Sequence, residues 1–190
     1  MDAATILRSA RIAAHCTQGQ LAARAGTHQP ALGRVESGAA DATVGRLNRV
    51  LAPAGAQVLA VSTRLPSVAA WSAAFRGWLL EGDDEGVRAA FLQVSDDLRS
   101  LDGDIAVALC SLAPAPTGSA GVDAALASLV EYTLTRERYP VPRWARDAQA
   151  GHEPYFIVAN PSLRDLVVDS TPEVFAKRNV FVPAEFFESV

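Results

Sequence analysis

Residues 17–38 read TQGQLAARAGTHQPALGRVESG, and their pattern predicts two short helices joined by a tight turn. Thr17 is suited to cap the first helix, because its hydroxyl can accept one of the backbone N–H groups that lack a partner at a helix start. Gln20 follows three residues later, which completes the pattern of a capping box. Gly26 is suited to the turn, since a side chain there would obstruct a positive φ or a close approach of the chain.

In each of these two helices, apolar residues recur at the period of an α-helix and therefore share one face. The first presents Leu21 and Ala25, and the second presents Ala31, Leu32 and Val35. With these side chains turned inward, four residues of the second helix are left on its outer side: His28, Gln29, Gly33 and Arg34. The pattern therefore predicts a small helical core with one helix face turned outward.

This stretch resembles the helix-turn-helix regulators of the lambda repressor and Cro type, the XRE family. The resemblance covers about residues 6–61 and includes a further helix over residues 43–51, closed by Gly55. It is carried by Thr17, Gln18, Leu21 and Ala22 at the opening, by Ala25 and Gly26 at the turn, and by Gln29, Leu32, Arg34, Val35, Glu36 and Gly38 in the second helix. It implies a repressor-like helical domain whose partner is double-stranded DNA.

The resemblance also implies which residues contact the DNA. The expected set is Thr17, Gln18, Thr27, His28, Gln29, Gly33, Arg34 and Arg46. Gln29 is the expected reader of bases, because a side-chain amide can form two hydrogen bonds with adenine in the major groove. Two roles are open for Arg34: it contacts phosphate, or it bonds Glu36 and holds the end of the helix.

The charge of the chain is unevenly distributed, and the distribution agrees with DNA binding. Residues 1–64 carry seven basic and three acidic residues, a net charge of +4, whereas residues 65–190 carry ten basic and 18 acidic residues, a net charge of −8. Charges act mainly within a Debye length of about 8–10 Å. A basic head can therefore attract DNA although the whole chain has a net charge of −4.

The sequence pattern of residues 65–190 predicts a second, mostly helical domain for sensing, oligomerisation or partner binding. The predicted fold class of the chain is therefore mainly α. Helices are expected at 68–80, 85–101 and 122–138, with Asp83 or Asp84 as a cap of the second. The apolar run 105–112 fits a buried strand or a helix, and Asp102 and Asp104 around Gly103 fit a turn. A strand is expected at 56–62. Short helices and loops are expected over 144–147, 155–160, 162–169 and 172–177.

The tail is similar to the C-terminal region of actinobacterial repressor-type regulators found beside nucleotidyltransferase-type toxin genes. The similarity is carried by residues 142–144, 154–156 and 175–182. It implies an antitoxin that binds a protein partner encoded by a neighbouring gene. The alternative is that the late aromatic residues simply pack a small helical domain, as aromatic residues commonly do: Trp144, Tyr155, Phe156, Phe181 and Phe186.

No catalytic, metal-binding or cofactor-binding pattern is found in the sequence. The three histidines, His15, His28 and His152, lack the spacing of metal ligands on a helix. No glycine-rich phosphate loop and no nucleophile elbow are present. The acidic run at 81–85 is typical of a solvated turn. We therefore expect no enzyme, no metal site and no cofactor.

The remaining features point to the cytoplasm. No apolar run approaches the length of a membrane span, and the N-terminus lacks a secretory signal pattern. Cys16 and Cys110 are expected to be buried, reduced thiols. The sequence thus predicts a transcriptional regulator, a repressor that binds an inverted repeat as a dimer. An enzyme with a DNA-binding head and a pure interaction protein are the alternatives from other classes.

Overall fold

The structure is a computed structural model that describes residues 2–58, 60, 62–158 and 160–187. The chain divides into two units, Met1–Ser62 and Thr63–Val190. Helices dominate the described part of both units, which confirms the prediction of a mainly helical fold. Among these residues, no helix has both the length and the apolar character needed to cross a bilayer.

The N-terminal unit consists of short helices around a small apolar core. They are α1 (Ala3–Ala13), α2 (Gln18–Arg24), α3 (Gln29–Glu36) and α4 (Val44–Leu51), followed by a 3₁₀ turn (Ala52–Ala54). One leucine of each helix is buried in this core: Leu7, Leu21, Leu32 and Leu47. Burial of an aliphatic side chain contributes about 1.5–3 kcal/mol, so these four residues hold the helices together.

Local signals set the start of α2 and the turn that follows it. The Thr17 hydroxyl accepts a hydrogen bond from the Gln20 N–H at 3.2 Å, and the Gln20 side chain accepts one from the Thr17 N–H at 2.9 Å. This is the predicted capping box. Gly26 has a φ of 64°, a left-handed conformation that glycine adopts without a steric penalty. The chain therefore turns between α2 and α3 where the sequence predicts it.

The strand predicted at 56–62 is not found in the described residues of that segment, whereas residues 59 and 61 lie outside the described part. The backbone of this segment bonds to α4 instead of to a neighbouring strand. The Ala56 N–H donates to the Leu51 carbonyl at 3.2 Å, and the Val58 N–H donates to the Asn48 side chain at 2.7 Å. These donors are therefore not available for a β-ladder.

The C-terminal unit is built around a long, buried helix. Its helices are α5 (Val68–Glu81), α6 (Asp84–Arg99), α7 (Gly103–Cys110), α8 (Ala120–Arg136), α9 (Arg143–Arg146), α10 (Arg164–Ser170) and α11 (Glu173–Ala176), with 3₁₀ turns at Pro161–Leu163 and Ala184–Phe187. Helix α8 has buried side chains at every position from Ala124 to Val130, so it is buried on all sides. It is the centre of this unit.

One sequence prediction for this unit is wrong, and two that left alternatives open are decided. The segment around Gly103 does not form a turn, because Asp102 is the N-cap of α7, and the ambiguous run 105–112 lies mostly within this helix. A Cβ at Gly103 would lie 1.9 Å from the Tyr139 ring, so only glycine permits this approach. The predicted cap of α6 is Asp83, whose side chain accepts from the Gly86 N–H at 2.9 Å.

The described residues of 155–160 contain a short strand, where a loop or a short helix was predicted. Strand β1 (Tyr155–Phe156) pairs in parallel with β2 (Val180–Phe181), and Tyr155 is opposite Val180. The Tyr155 N–H donates to the Asn179 carbonyl at 2.9 Å. Backbone groups of the tail thus bond to residues about 25 positions away. A local sequence pattern does not predict such a pairing, because it depends on residues far apart in the chain.

One charged residue of the tail, Arg178, is inside the unit and 1% exposed. Its guanidinium donates to Glu131 Oε2 at 2.6 Å. It also donates to four backbone carbonyls, those of Ala145, Ala148, Arg146 and Val174. Arg178 therefore ties α8, α9 and α11 together.

The late aromatic side chains are all at least partly buried. The Trp144 indole N–H donates to the Cys110 carbonyl at 2.8 Å. Phe156 and Phe181 stack with their ring centroids 5.1 Å apart, and Tyr155 and Phe186 pack against the core. None of these five side chains is exposed. Their contacts within the unit agree with the packing alternative.

Candidate nucleic-acid interface

Helix α3 presents an apolar face to the core and a polar face to solvent. Leu32, Val35 and Glu36 are buried, whereas Gln29 and Arg34 are exposed. Pro30 lies in the first turn of the helix, where its missing N–H leaves no helical hydrogen bond unmade. The exposed face is thus the part of α3 that a ligand as large as DNA can reach.

Gln18 bridges the start of α2 to the start of α3. Its side-chain oxygen accepts a hydrogen bond from the Gln29 side-chain nitrogen at 3.2 Å, and its own nitrogen donates to Glu36 at 2.9 Å. A Cβ at Gly33 would lie 3.4 Å from the Gln18 oxygen, so Gly33 provides the space beside the bridge. The structure therefore brings Gln18, Gln29 and Gly33 together, and Gln18 is half-buried rather than fully presented to a ligand.

Glu36 is a buried carboxylate that pairs with Arg11 of α1. Two hydrogen bonds join the groups, from Arg11 Nε to Oε1 at 2.6 Å and from Arg11 Nη2 to Oε2 at 2.9 Å. Arg11 also donates to the Cys16 carbonyl at 3.0 Å, and Arg8 donates to the Glu36 carbonyl at 2.5 Å. A bidentate ion pair of this kind fixes orientation as well as distance, so it holds the C-terminal end of α3 in place against α1.

The surroundings of Glu36 favour its charged form. Burial alone would raise the pKa of Glu36, but the hydrogen bonds from Arg11 and Gln18 outweigh burial and hold that pKa below its ordinary value. A carboxyl with a lowered pKa stabilises the fold above its unfolded-state pKa of about 4.3. That contribution is lost as the pH falls through the lowered pKa of the folded state.

The structure excludes one of the two roles considered for Arg34. Glu36 is bonded to Arg11, and Arg34 is exposed with no side-chain hydrogen bond or ion pair among the described residues. The hypothesis that Arg34 bonds Glu36 is therefore wrong. Arg34 remains available for a phosphate or base contact.

The other residues predicted to contact DNA differ in their exposure and in the hydrogen bonds that their side chains already make. His28 is the exposed N-cap of α3, and its side chain makes no capping hydrogen bond. The Thr17 hydroxyl is engaged in the capping box. Thr27 and Arg46 both line a shallow depression over the core, and Arg46 is exposed in the first turn of α4. The structure thus places Thr27 and Arg46 around the same depression.

Sequence reasoning did not identify the Arg11–Glu36 pair. It counted Arg8 and Arg11 only as part of a basic head, although both arginines bond to Glu36. The sequence signal that could have revealed the pair was Glu36 itself, which lies at the end of α3 on the face that otherwise carries apolar side chains. A charged residue on such a face needs a partner, because an isolated charge is very costly to bury.

The described residues contain no cluster of three or more His, Cys, Asp or Glu side chains that could hold a metal ion. Cys16 and Cys110 are free and buried. Burial raises the pKa of Cys110 to about 12 and that of Tyr155 also to about 12, so both groups are protonated near neutral pH.

Comparison with known proteins agrees with this geometry. Residues 7–52, from α1 to the end of α4, match a family model described as helix-turn-helix. No curated protein and no solved structure matches the chain. The two helices joined at Gly26, with the exposed face of the second, lie within the matched residues. The N-terminal part of the chain is therefore a helix-turn-helix domain of the lambda repressor and Cro type, and the protein is a DNA-binding regulator of transcription.

Proposed function

We propose that the protein is a sequence-specific repressor that places α3 in the major groove of its operator. The observation that carries this proposal is the Gln18–Gln29 hydrogen bond at the exposed start of α3. This bond uses one N–H of the Gln29 amide and leaves the oxygen and the second N–H available. An adenine edge requires one acceptor and one donor from the protein. Gln29 is therefore held ready to read a base.

Repression in this proposal follows from occupancy alone. A bound regulator covers the DNA that it recognises and excludes other proteins from it. Arg34, exposed on α3, and Arg46, exposed on α4, would hold the domain on the phosphate backbone. Such contacts position a protein without specifying sequence. The proposal thus assigns specificity to Gln29 and general affinity to the two arginines.

A matched pair of substitutions on α3 tests these assignments. Gln29→Ala should relax the preference for one base pair and weaken operator binding by about 1–3 kcal/mol. Arg34→Ala should weaken binding to all sequences alike and lower the slope of log affinity against log salt by about one. Both are measured by titrating labelled DNA from upstream of the gene, together with single-base variants, at several salt concentrations.

Glu81→Ala serves as the control, because Glu81 is exposed at the end of α5 in the other unit. Its base preference and salt slope should equal those of the parent chain. A preference profile that Gln29→Ala leaves unchanged would remove Gln29 from the role of base reader. Failure of the parent chain to prefer any sequence would overturn the proposed function itself.

We also propose that the repressor acts as a dimer on an inverted repeat. Two recognition helices can occupy neighbouring major grooves only when they are held about 34–36 Å apart. The full chain should sediment as a dimer and bind a complete inverted repeat about 10²-fold or more tightly than a single half-site, because the second contact is intramolecular. A monomer with equal affinity for both DNAs would contradict this proposal.

The antitoxin alternative stays a prediction, because packing within the unit also accounts for the residues on which it was based. The aromatic side chains of the tail are partly buried within the unit. Lys177 and Arg178, in the third of the similar segments, both bond to Glu131 at 2.6 Å. These residues have structural roles, and we do not propose toxin neutralisation from them.

A further inference from the structure

Exposed apolar side chains are concentrated at α10. The described residues include seven large apolar side chains that are exposed, and three of them fall between residues 163 and 168. Leu163 is 44% exposed, Leu166 is 66% exposed and Val168 is 43% exposed. Single exposed apolar residues are ordinary, but Leu163 and Leu166 are three residues apart and so are neighbours on the helix surface, and grouped apolar side chains are typical of an interaction site.

The geometry of α10 places these residues around an acidic ridge. Successive residues of an α-helix are about 100° apart. Val167 is the buried residue of this helix, so Leu166 and Val168 lie on its two flanks. Asp165 and Asp169 then lie on the side opposite Val167, and both are exposed. We call Leu163, Asp165, Leu166, Val168 and Asp169 the α10 surface.

The strand pair extends the apolar area beside this surface. The Arg164 guanidinium lies over the Phe156 ring, 4.9 Å from its centroid, and Phe156 stacks on Phe181. Both rings are half-buried. Arg164 is exposed as well, but its guanidinium is engaged with this ring through a cation–π contact, whereas the two aspartates have no such partner among the described residues.

The charge of the surface indicates what it binds. Asp165 and Asp169 are unpaired among the described residues, and they belong to a segment of the chain with a net charge of −8. A second copy of the chain would bring the same acidic ridge against itself, because a two-fold contact joins identical patches. Positive groups on the other side complement the aspartates, and apolar groups cover the leucines and the valine.

We propose that the α10 surface binds another protein through a segment that is both basic and apolar. Leu166, the most exposed of the three apolar residues, is the anchor of this contact. The aspartates select the partner and speed its approach, since charges at an interface act mainly on specificity and association rate. This interaction is separate from DNA binding, which is assigned to the helix-turn-helix domain.

Site-specific photo-cross-linking in the cells from which the gene comes tests the proposal. The full chain carries p-benzoylphenylalanine in place of Leu166 or, as the control, in place of Leu80, which is 83% exposed on α5. We expect one protein other than the regulator to cross-link at position 166 and not at position 80. Mass spectrometry of the linked peptide should locate the contact in a segment rich in Lys or Arg and apolar residues.

Titration of the purified partner with variants of the full chain then tests the assigned residues. Leu166→Ser should weaken binding about 10-fold or more, as loss of an interface anchor does, whereas Leu80→Ser should not. The pair Asp165→Lys and Asp169→Lys should also weaken binding about 10-fold. The pair Glu81→Lys and Glu137→Lys makes the same change in net charge at the ends of α5 and α8 and should have no effect.

The possible outcomes separate this proposal from its rivals. Cross-links only to a second copy, only to the N-terminal unit of the same chain, or to nothing would overturn it. So would a partner whose affinity is unchanged by the two lysine substitutions on α10. An unchanged unfolding transition of the C-terminal unit in Leu166→Ser shows that the variant is folded, and a failure of operator binding by the parent chain concerns the proposed repressor function alone.

Discussion

Replacing Arg11 with alanine should destabilise the helix-turn-helix domain by about 3–5 kcal/mol, because the substitution leaves Glu36 buried without its ion-pair partner. Glu36 is 2% exposed and accepts two hydrogen bonds from Arg11. Gln18 cannot compensate, since it supplies one N–H and no charge. A loss of this size is a large fraction of the stability of a small domain.

Chemical denaturation of the full chain measures this effect, with one spectroscopic probe placed in each unit. Only the transition of the N-terminal unit should move. Arg49→Ala is the control, because Arg49 is an exposed arginine of the same unit in α4 and should change stability by less than about 0.5 kcal/mol. Equal effects of Arg11→Ala and Arg49→Ala would show that the pair contributes nothing specific.

The same pair should make the domain sensitive to acid. The lowered pKa of Glu36 means that stability is gained above its unfolded-state pKa, about 4.3, and lost as the pH falls through the folded-state value. Glu36→Gln removes this titration, so the stability of that variant should change less between neutral pH and pH about 3. The test therefore compares how the free energy of unfolding of the parent chain and of Glu36→Gln changes with pH, and not only their values at neutral pH.

The local features of the helix-turn-helix domain could be predicted because each depends on neighbours in the sequence. The capping box joins Thr17 to Gln20, three residues apart. The turn depends on the backbone freedom of Gly26 alone. The apolar face of α3 follows from helical spacing. A reader of the sequence therefore sees the helices, the turn and the exposed face, but not what fixes their mutual orientation.

The features that could not be predicted join distant residues. Arg11 and Glu36 are 25 positions apart, and β1 pairs with residues equally far away. The run 105–112 is apolar on most sides, so periodicity alone does not distinguish a buried strand from a helix. The bond from Gln18 to Glu36 could not be predicted either, because it depends on how α2 and α3 pack. Tertiary contacts decide these cases.

Replacing Arg178 with alanine should have the second large effect, a loss of about 3–5 kcal/mol in the stability of the C-terminal unit. Arg178 is 1% exposed, and its guanidinium donates to Glu131 and to four carbonyls. Alanine leaves these acceptors without that donor and opens a cavity among α8, α9 and α11. Unmade hydrogen bonds of buried groups are costly, and so are cavities.

Arg178→Lys separates the guanidinium geometry from the charge. A lysine ammonium has three donors at one point, whereas the arginine reaches acceptors in several directions. Arg178→Lys should therefore recover only part of the stability, although it keeps the positive charge beside Glu131. If charge alone mattered, Arg178→Lys would unfold at the same denaturant concentration as the parent chain.

Lys177→Ala supplies the matched control for this prediction, because Lys177 also bonds to Glu131 at 2.6 Å. Its side chain is 42% exposed, so solvent screens the pair, and such pairs contribute about 0–1 kcal/mol. The two neighbouring cations share one carboxylate and differ in burial. A loss for Arg178→Ala no larger than that for Lys177→Ala would mean that the buried carbonyls do not need the guanidinium, and the tail would then be held by its apolar contacts, chiefly Phe175 and Val180.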